Sequence, residues 1–195
     1  MKTISFASFL SVIALLAWAG CGTTSHSLAD KHEQAAPFAG IAQAVCVLAP
    51  TEGNKTAGTV RFVEKDGKVT VTAEVTGLGA NQKHAIHIHE FGDISDAKGM
   101  ATGGHYNPEG HEHGLPDKDK RHAGDFGNLE ANAEGKATLT FTVNNLSVAG
   151  AKNPVLGRAI IVHAKPDDGS QPVGNAGPRI AQGVIGVAKV PQPAK

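Results

Sequence analysis

The ten residues from 84 to 93 constrain the fold of this chain more than any other stretch, and they are His-Ala-Ile-His-Ile-His-Glu-Phe-Gly-Asp. Successive side chains of an extended strand point to opposite faces, so His87 and His89 share one face while Ile86 and Ile88 share the other. This pattern predicts a half-buried strand that carries part of a metal site, with His84 capping or preceding it. A pair of solvent-facing histidines is the alternative that this stretch alone leaves open.

Short runs in which apolar and polar residues alternate recur along the chain between Gly-rich turns. The runs at 59–63 and 69–75 flank Asp66-Gly67, and an Asp-Gly pair in that position predicts a β-hairpin. Further strands are predicted at 41–48, around His87 and His89, and at 137–143, 158–163 and 183–188. Residues 91–135 are predicted to be irregular, and such a long loop is unusual in a compact domain unless it is functional. Seven or eight strands fit an all-β sandwich or Greek-key barrel.

The N-terminal residues predict export. Residues 1–20 join Lys2 to an apolar run too short for a membrane span, which indicates a signal peptide. Cys21 follows small residues, as at a bacterial lipoprotein processing site; an ordinary signal peptide cleaved near this cysteine is the alternative. Residues 21–36 are then the lipid-anchor cysteine and a flexible linker, 37–190 the folded domain and 191–195 a tail. We therefore expect a protein of the periplasm or cell envelope that reaches the membrane only through its lipid.

The net charge and the number of cysteines limit which partners and which stabilising bonds can be expected. The formal net charge is zero and the pI is near 7.2, so no nucleic-acid partner is expected. Cys46, the second of two cysteines, lies in an apolar run and is expected in the core. A domain with one internal cysteine cannot form an internal disulfide, so packing and any bound metal must hold it together.

Ten histidines are a high count, and most of them fall beside glycines in the irregular stretch or at strand ends. Sets made only of histidine suit copper, and three histidines with one aspartate suit zinc. Glycines beside such ligands let a loop bend sharply and bring distant side chains together.

Four segments together resemble the copper/zinc superoxide dismutase family, in the family's order and at its spacing. They are His87 to Asp93, Gly104 to Pro108, His122 to Asn128 and Gly174 to Gly186. The resemblance runs from Ala44 to Ala188 and implies an eight-stranded Greek-key barrel or sandwich, immunoglobulin-like, with two long functional loops. It also implies an enzyme with one copper and one zinc per subunit. Two superoxide anions would become dioxygen and hydrogen peroxide through Cu(II)/Cu(I) cycling, and a homodimer is a further expectation.

The resemblance assigns a role to individual residues. The implied copper ligands are His87, His89, His105 and His163, and the implied zinc ligands are His105, His113, His122 and Asp125. His105 would bridge the metals and carry a proton. His111 is an alternative to His113, but only His113 stands in the family's His-Gly-x-Pro context. Asp167 matches an outer aspartate that links ligand histidines of both metals, Arg179 matches the arginine that orients the anion at copper, and Lys165 resembles a basic residue of the guidance channel.

The chain departs from the family in two places. The usual intrasubunit disulfide is absent, because its positions hold Gly99 or Met100 and Gln182. The loop from Asp168 to Gly174 is shorter by roughly seven residues, which predicts a more open channel and weaker steering of the anion. A copper or zinc carrier without catalysis and a structural envelope lipoprotein are the competing functions. The presence of all four implied copper ligands and of Arg179 favours a catalytic function over these two alternatives.

Overall fold

The computed structural model describes residues 40–189, in which eight strands and one short 3-10 helix follow each other. They are β1 (Gln43–Pro50), β2 (Ala57–Lys65), β3 (Lys68–Thr76), β4 (Lys83–His89), the 3-10 helix (Met100–Thr102), β5 (Asp125–Glu130), β6 (Ala137–Val143), β7 (Ala159–His163) and β8 (Arg179–Val187). The expected signal peptide, Cys21, the linker and the tail lie outside the described residues. Within residues 40–189 no helix is long and apolar enough to cross a membrane.

The predicted hairpin at Asp66-Gly67 is confirmed as the connection between β2 and β3. Both turn residues have positive φ, 51° for Asp66 and 71° for Gly67, which is the conformation of a type I′ turn. Lys65 pairs with Lys68 directly across that turn. Alternate side chains of β3 are buried from there on, so the turn sets the register that directs them into the core.

All eight strands belong to one antiparallel sheet that curls into a nearly closed barrel, which confirms the predicted all-β fold. The strand order is β5-β4-β7-β8-β1-β2-β3-β6. β8 pairs with β7 on one side and with β1 on the other, so it joins the two halves of the barrel. The end strands β5 and β6 meet across the remaining seam, where the rings of Phe126 and Phe141 lie 4.9 Å apart between centroids.

The structure corrects three expectations. β5 lies inside the stretch 91–135 that was predicted to be irregular. The second correction concerns β4, which is buried on both faces rather than half-buried, because Ile86 and Ile88 face the core while loops cover His87 and His89. Third, His84 does not precede the strand: it lies within β4 and is buried.

Candidate metal centre

Two overlapping groups of buried side chains could each hold a metal ion. The histidine-only group consists of His87, His89, His105 and His163. The mixed group consists of His105, His113, His122 and Asp125. Within each group the candidate ligand atoms all lie within 4.8 Å of one another. His105 is the one residue that belongs to both.

The barrel and the long loop between β4 and β5 supply the histidine-only group together. His87 and His89 leave the same face of β4, and His163 ends the neighbouring strand β7. His105 comes from the loop but is fastened to β4, because it forms an isolated β-bridge with His89. The ring of His105 lies 4.0 Å from that of His87 between centroids, and the ring of His163 lies 5.1 Å from it.

Three imidazoles of this group are each anchored through one nitrogen and have the other unpaired. The anchoring bonds run from His87 Nε2 to Asp167 Oδ2 (2.9 Å), from His89 Nδ1 to Gly103 O (2.9 Å) and from His163 Nδ1 to Gly177 O (3.1 Å). The opposite atoms, His87 Nδ1, His89 Nε2 and His163 Nε2, are buried without a hydrogen-bond partner among the described residues. Buried polar atoms are rarely left unpaired, so this convergence fits a cation that accepts imidazole lone pairs, as copper does.

Burial keeps the imidazoles of His89, His105 and His163 neutral, which is the form that binds a metal. It lowers the pKa of His89 to about 2, with the charge of Arg179 as the next cause. It lowers the pKa of His163 to about 3, helped by repulsion from His87. The pKa of His105 falls to about 4, again through burial, although hydrogen bonding to Asp125 opposes the shift. At neutral pH all three rings therefore offer lone pairs rather than protons.

The mixed group brings three Nδ1 atoms around the carboxylate of Asp125. His105 Nδ1 lies 2.9 Å and His122 Nδ1 lies 3.2 Å from Asp125 Oδ1, and these two nitrogens are 3.4 Å apart. His113 Nδ1 lies 3.0 Å from Asp125 Oδ2. Ligand atoms about 2.0–2.1 Å from a tetrahedral zinc ion stand roughly 3.3 Å from each other, so the donor set and its spacing fit zinc.

The electrostatics of the mixed group also favour a bound cation. Burial alone would raise the pKa of Asp125, but hydrogen bonds from His105, His113 and His122 hold that pKa well below its usual range. Burial likewise opposes protonation of His113, yet Asp125 and Asp167 outweigh it and raise the pKa of His113 to about 9. The site thus draws a positive charge to the position between these rings and the carboxylate.

Asp167 spans both groups. Its Oδ2 accepts a hydrogen bond from His87 Nε2 and its Oδ1 accepts one from His113 Nε2, each at 2.9 Å. Asn128 on β5 makes two hydrogen bonds to the backbone of Asp167. Its Nδ2 donates to Asp167 O at 2.9 Å, and its Oδ1 accepts from Asp167 N at 2.7 Å. Gly174 packs against this carboxylate so closely that a Cβ there would overlap Asp167 Oδ1. One aspartate therefore fixes the ring orientation of a histidine in each group.

A cavity of about 370 Å³ opens onto the histidine-only group. Its walls are His89, Met100, Gly104, His105, His163, Val173, Ala176, Gly177, Pro178 and Arg179. Lys165, the expected guidance residue, is not among them: it is exposed, and its side chain packs against Gly177. Arg179 is the one lysine or arginine of this lining.

The guanidinium of Arg179 is held by the loop between β4 and β5. Nη1 donates to the carbonyl of Gly99 and, at 2.8 Å, to Thr102 Oγ1, while Nη2 donates to Gly103 O at 2.7 Å. A guanidinium has five N–H donors. One N–H on Nη2 and the N–H on Nε thus stay uncommitted to these acceptors.

Sequence reasoning missed the part that His84 plays at the site. Its Nδ1 lies 2.9 Å from His163 O and its Nε2 accepts from Gly79 N at 3.1 Å, so the ring props the end of β7 that carries His163. The available signal was its position, because residue 84 shares a face with Ile86 and Ile88. Of the two alternatives in the loop, the structure brings His113 into the mixed group, while His111 lies outside it and is partly exposed.

Comparisons with known proteins agree with this geometry. The family model for copper/zinc superoxide dismutase matches residues 56–185, a range that contains every member of both groups. A superoxide dismutase [Cu-Zn] from Paramecium bursaria Chlorella virus 1 is 43% identical over 156 residues, which cover 76% of this chain and 82% of the relative. The chain belongs to the copper/zinc superoxide dismutase family and is an oxidoreductase that disproportionates superoxide with copper and zinc as its metals.

Proposed function

We propose that the histidine-only group holds the copper at which superoxide reacts and that the mixed group holds the zinc. The observation that carries this assignment is the convergence of the buried, unpaired nitrogens of His87, His89 and His163. Copper held by these histidines would supply the one-electron chemistry, in which one superoxide gives up an electron and a second receives one. Across the two steps, two superoxide anions and two protons become dioxygen and hydrogen peroxide.

Arg179 is proposed to bind and orient the anion. Its charge stands on the wall of the cavity that opens onto the histidine-only group, and two of its N–H donors are uncommitted to the loop. Charge-assisted hydrogen bonds to a small anion are the strong kind, and donors that are already fixed need no reorganisation when charge develops.

His105 is proposed to bridge the two metals and to act as the proton carrier. Its Nδ1 faces Asp125 and His122 at 2.9 and 3.4 Å, so Nε2 is the atom left for the histidine-only group. A proton held at Nε2 would stand beside the cavity in which the substrate lies. From that position the ring can pass a proton to the reduced substrate.

Single-ligand substitutions test the assignment of the two metals. His89→Ala removes a ligand of the histidine-only group alone, so we expect copper content and superoxide consumption to fall by about a hundredfold or more while zinc is retained. The matched variant His122→Ala should lose zinc first. Metal analysis of both proteins alongside a superoxide assay checks this, and zinc loss from His89→Ala with copper retained would refute the assignment.

We also propose that two copies associate through the face formed by β1 and β8. Val47 on the outer face of β1 is 68% exposed, and Val187 at the end of β8 is 52% exposed. A shallow cavity of about 420 Å³ nearby is lined mainly by apolar residues, including Leu156 and Ile185. Apolar surface that remains exposed is typical of an interface.

Sedimentation tests the interface. We expect a dimer for the unmodified protein and a monomer for Val47→Glu, whereas Val63→Glu, at a residue 42% exposed on β2, should remain a dimer. A monomer at all concentrations of the unmodified protein would disprove the association.

Export to the envelope with lipid attached at Cys21 remains a proposal that the sequence of residues 1–21 supports. We expect Cys21→Ser to move the protein from the membrane fraction to the soluble envelope fraction. An unmodified Cys21 in the mass spectrum of the mature protein would rule the attachment out.

A further inference from the structure

Gln182 is a buried polar residue of β8 that neither metal group uses. It lies three residues after Arg179, and only 7% of it is exposed. Its Nε2 donates to Asp96 O at 3.0 Å, which joins the barrel to the loop between β4 and β5. Its Oε1 is buried without a hydrogen-bond partner among the described residues. The amide therefore makes one directed contact, and that contact is to the loop.

The loop segment that Gln182 contacts is a tight turn over residues 96–100. Asp96 Oδ1 closes it by accepting from the backbone N–H groups of Lys98 and Met100 at 2.9 and 2.8 Å. Gly99, at φ 77°, donates its N–H to Asp96 O at 3.0 Å, so the carbonyl that receives Gln182 also anchors the turn. These bonds fix the shape of the turn. Gln182 fixes where the turn stands against the barrel.

The same turn and the three residues that follow it present the acceptors that hold Arg179. Gly99 O, Thr102 Oγ1 and Gly103 O all bind the guanidinium. Two of these acceptors are linked to each other, because Thr102 Oγ1 also donates to Gly99 O at 2.8 Å, and Thr102 is fully buried. A Cβ built on Gly99 would lie 3.3 Å from Gln182 Oε1 and 3.5 Å from Arg179 Cδ, so both β8 side chains stand against this one residue.

We propose that Gln182 is a positioning residue for Arg179. Its hydrogen bond to Asp96 O holds the turn in the place where the three acceptors direct the uncommitted N–H donors of Arg179 toward the cavity. A neutral amide thus joins the same two segments that the family's disulfide would join. The inference rests on the role proposed above for Arg179.

The test compares Gln182→Met with Gln43→Met in the full chain loaded with copper and zinc. Methionine keeps the length and burial of the side chain but has no amide donor. Gln43 is a β1 residue whose side chain makes no hydrogen bond in the described structure, so it serves as the matched control. In Gln182→Met we expect amide hydrogen exchange over residues 96–103 to quicken by about tenfold or more, with no change in the β2–β3 hairpin. Gln43→Met should leave both regions unchanged.

A double-mutant cycle with Arg179→Met separates positioning from a merely structural effect. We expect Gln182→Met to lower the rate of superoxide consumption about three- to tenfold with Arg179 present and to cause no further loss once Arg179 is replaced. Copper and zinc contents should be equal in all four proteins.

Three outcomes would overturn the proposal in different ways. Unchanged exchange over residues 96–103 would show that Gln182 does not hold the turn. An equal loss of rate in both backgrounds would show that Gln182 acts on the enzyme without acting through Arg179. Full activity of the single variant Arg179→Met would disprove the proposed role of Arg179. The inference about Gln182 would then fail as well, because it rests on that role.

Discussion

The individual histidines make the stability of the metal-free protein depend on pH. Burial lowers the pKa values of His89, His105 and His163 to about 2, 4 and 3, while an unfolded chain titrates near 6.5. Below pH 6.5 the unfolded state therefore binds protons that the folded state does not. The free energy of unfolding consequently decreases as the pH is lowered. His113 has the opposite sign: its pKa of about 9 contributes stability below pH 6.5 that is lost between there and pH 9.

We predict that the metal-free protein loses stability steeply between pH 7 and pH 5, by up to ~1.4 kcal/mol per pH unit for each proton taken up. The free energy of unfolding in urea at pH 7, 6 and 5 measures the effect. His111→Gln should follow the same profile, since His111 lies outside both groups and is partly exposed. A free energy that stays constant or rises toward pH 5 would contradict the prediction.

At the scale of single residues, local sequence motifs predicted the candidate site residues, whereas contacts between residues far apart in the chain could not be predicted. The candidate ligands stand in short motifs whose residue types and spacing are visible in the chain. The hydrogen bonds of His84 to His163 O and of Gln182 to Asp96 O join residues 79 and 86 positions apart. Nothing in the local pattern marks such contacts, so the sequence alone could not predict them.

The connection between β7 and β8 holds the backbone of one residue of the mixed group. Gln171 lies in this loop and clamps the backbone of His113, accepting from its N–H at 3.1 Å and donating to its carbonyl at 2.8 Å. The side chain of His113 is buried between Asp125 and Asp167. One exposed amide of this loop therefore holds the backbone of His113.

Removing this clamp should weaken zinc binding. We predict that Gln171→Met raises the zinc dissociation constant about tenfold, because partners that orient a ligand typically contribute 10–100-fold to metal affinity. Competition with a chromogenic chelator measures the constant. Gln82→Met is the control, since Gln82 is also exposed and its side chain makes no hydrogen bond in the described structure. Equal zinc affinity for both variants would show that the clamp has no such role.

Among the strands, those in which apolar and polar residues alternate regularly could be predicted from the sequence. The β2–β3 hairpin was predictable because its turn residues and its alternation agree. β5 was not, because the polar residues Asp125 and Asn128 serve the metal centre and leave no clean alternation in a six-residue strand. The two-sided burial of β4 was missed for a related reason: polar histidines indicate an exposed face unless a loop and a metal cover them.

At the scale of the described molecule, few charges line the cavity that opens onto the histidine-only group. Arg179 is the one lysine or arginine that lines the cavity, and Lys165 lies outside it. Met100, Val173 and Pro178 form an apolar part of the cavity wall. The formal net charge of the chain is zero. Long-range steering scales with the field around the opening and is screened by salt, so a weak field leaves little to screen.

We predict that the rate of superoxide consumption falls less than about threefold between 10 and 200 mM salt. Pulse radiolysis over that range measures the dependence. Lys165→Gln should change the slope little, whereas Arg179→Met should lower the rate at every salt concentration. A steep decline for the unmodified protein would reveal a guiding field that this charge distribution does not supply.

The amide contact between Gln182 and Asp96 also bears on how the protein matures. Cys46 is the one cysteine of residues 40–189, and burial raises the pKa of its thiol to about 12, which keeps it unreactive. Closing the loop over the cavity thus needs no oxidant and no isomerase, and glutathione cannot reopen it. We expect this contact to form equally well in a reducing and in an oxidising compartment, so thiol chemistry should not decide when the enzyme becomes active.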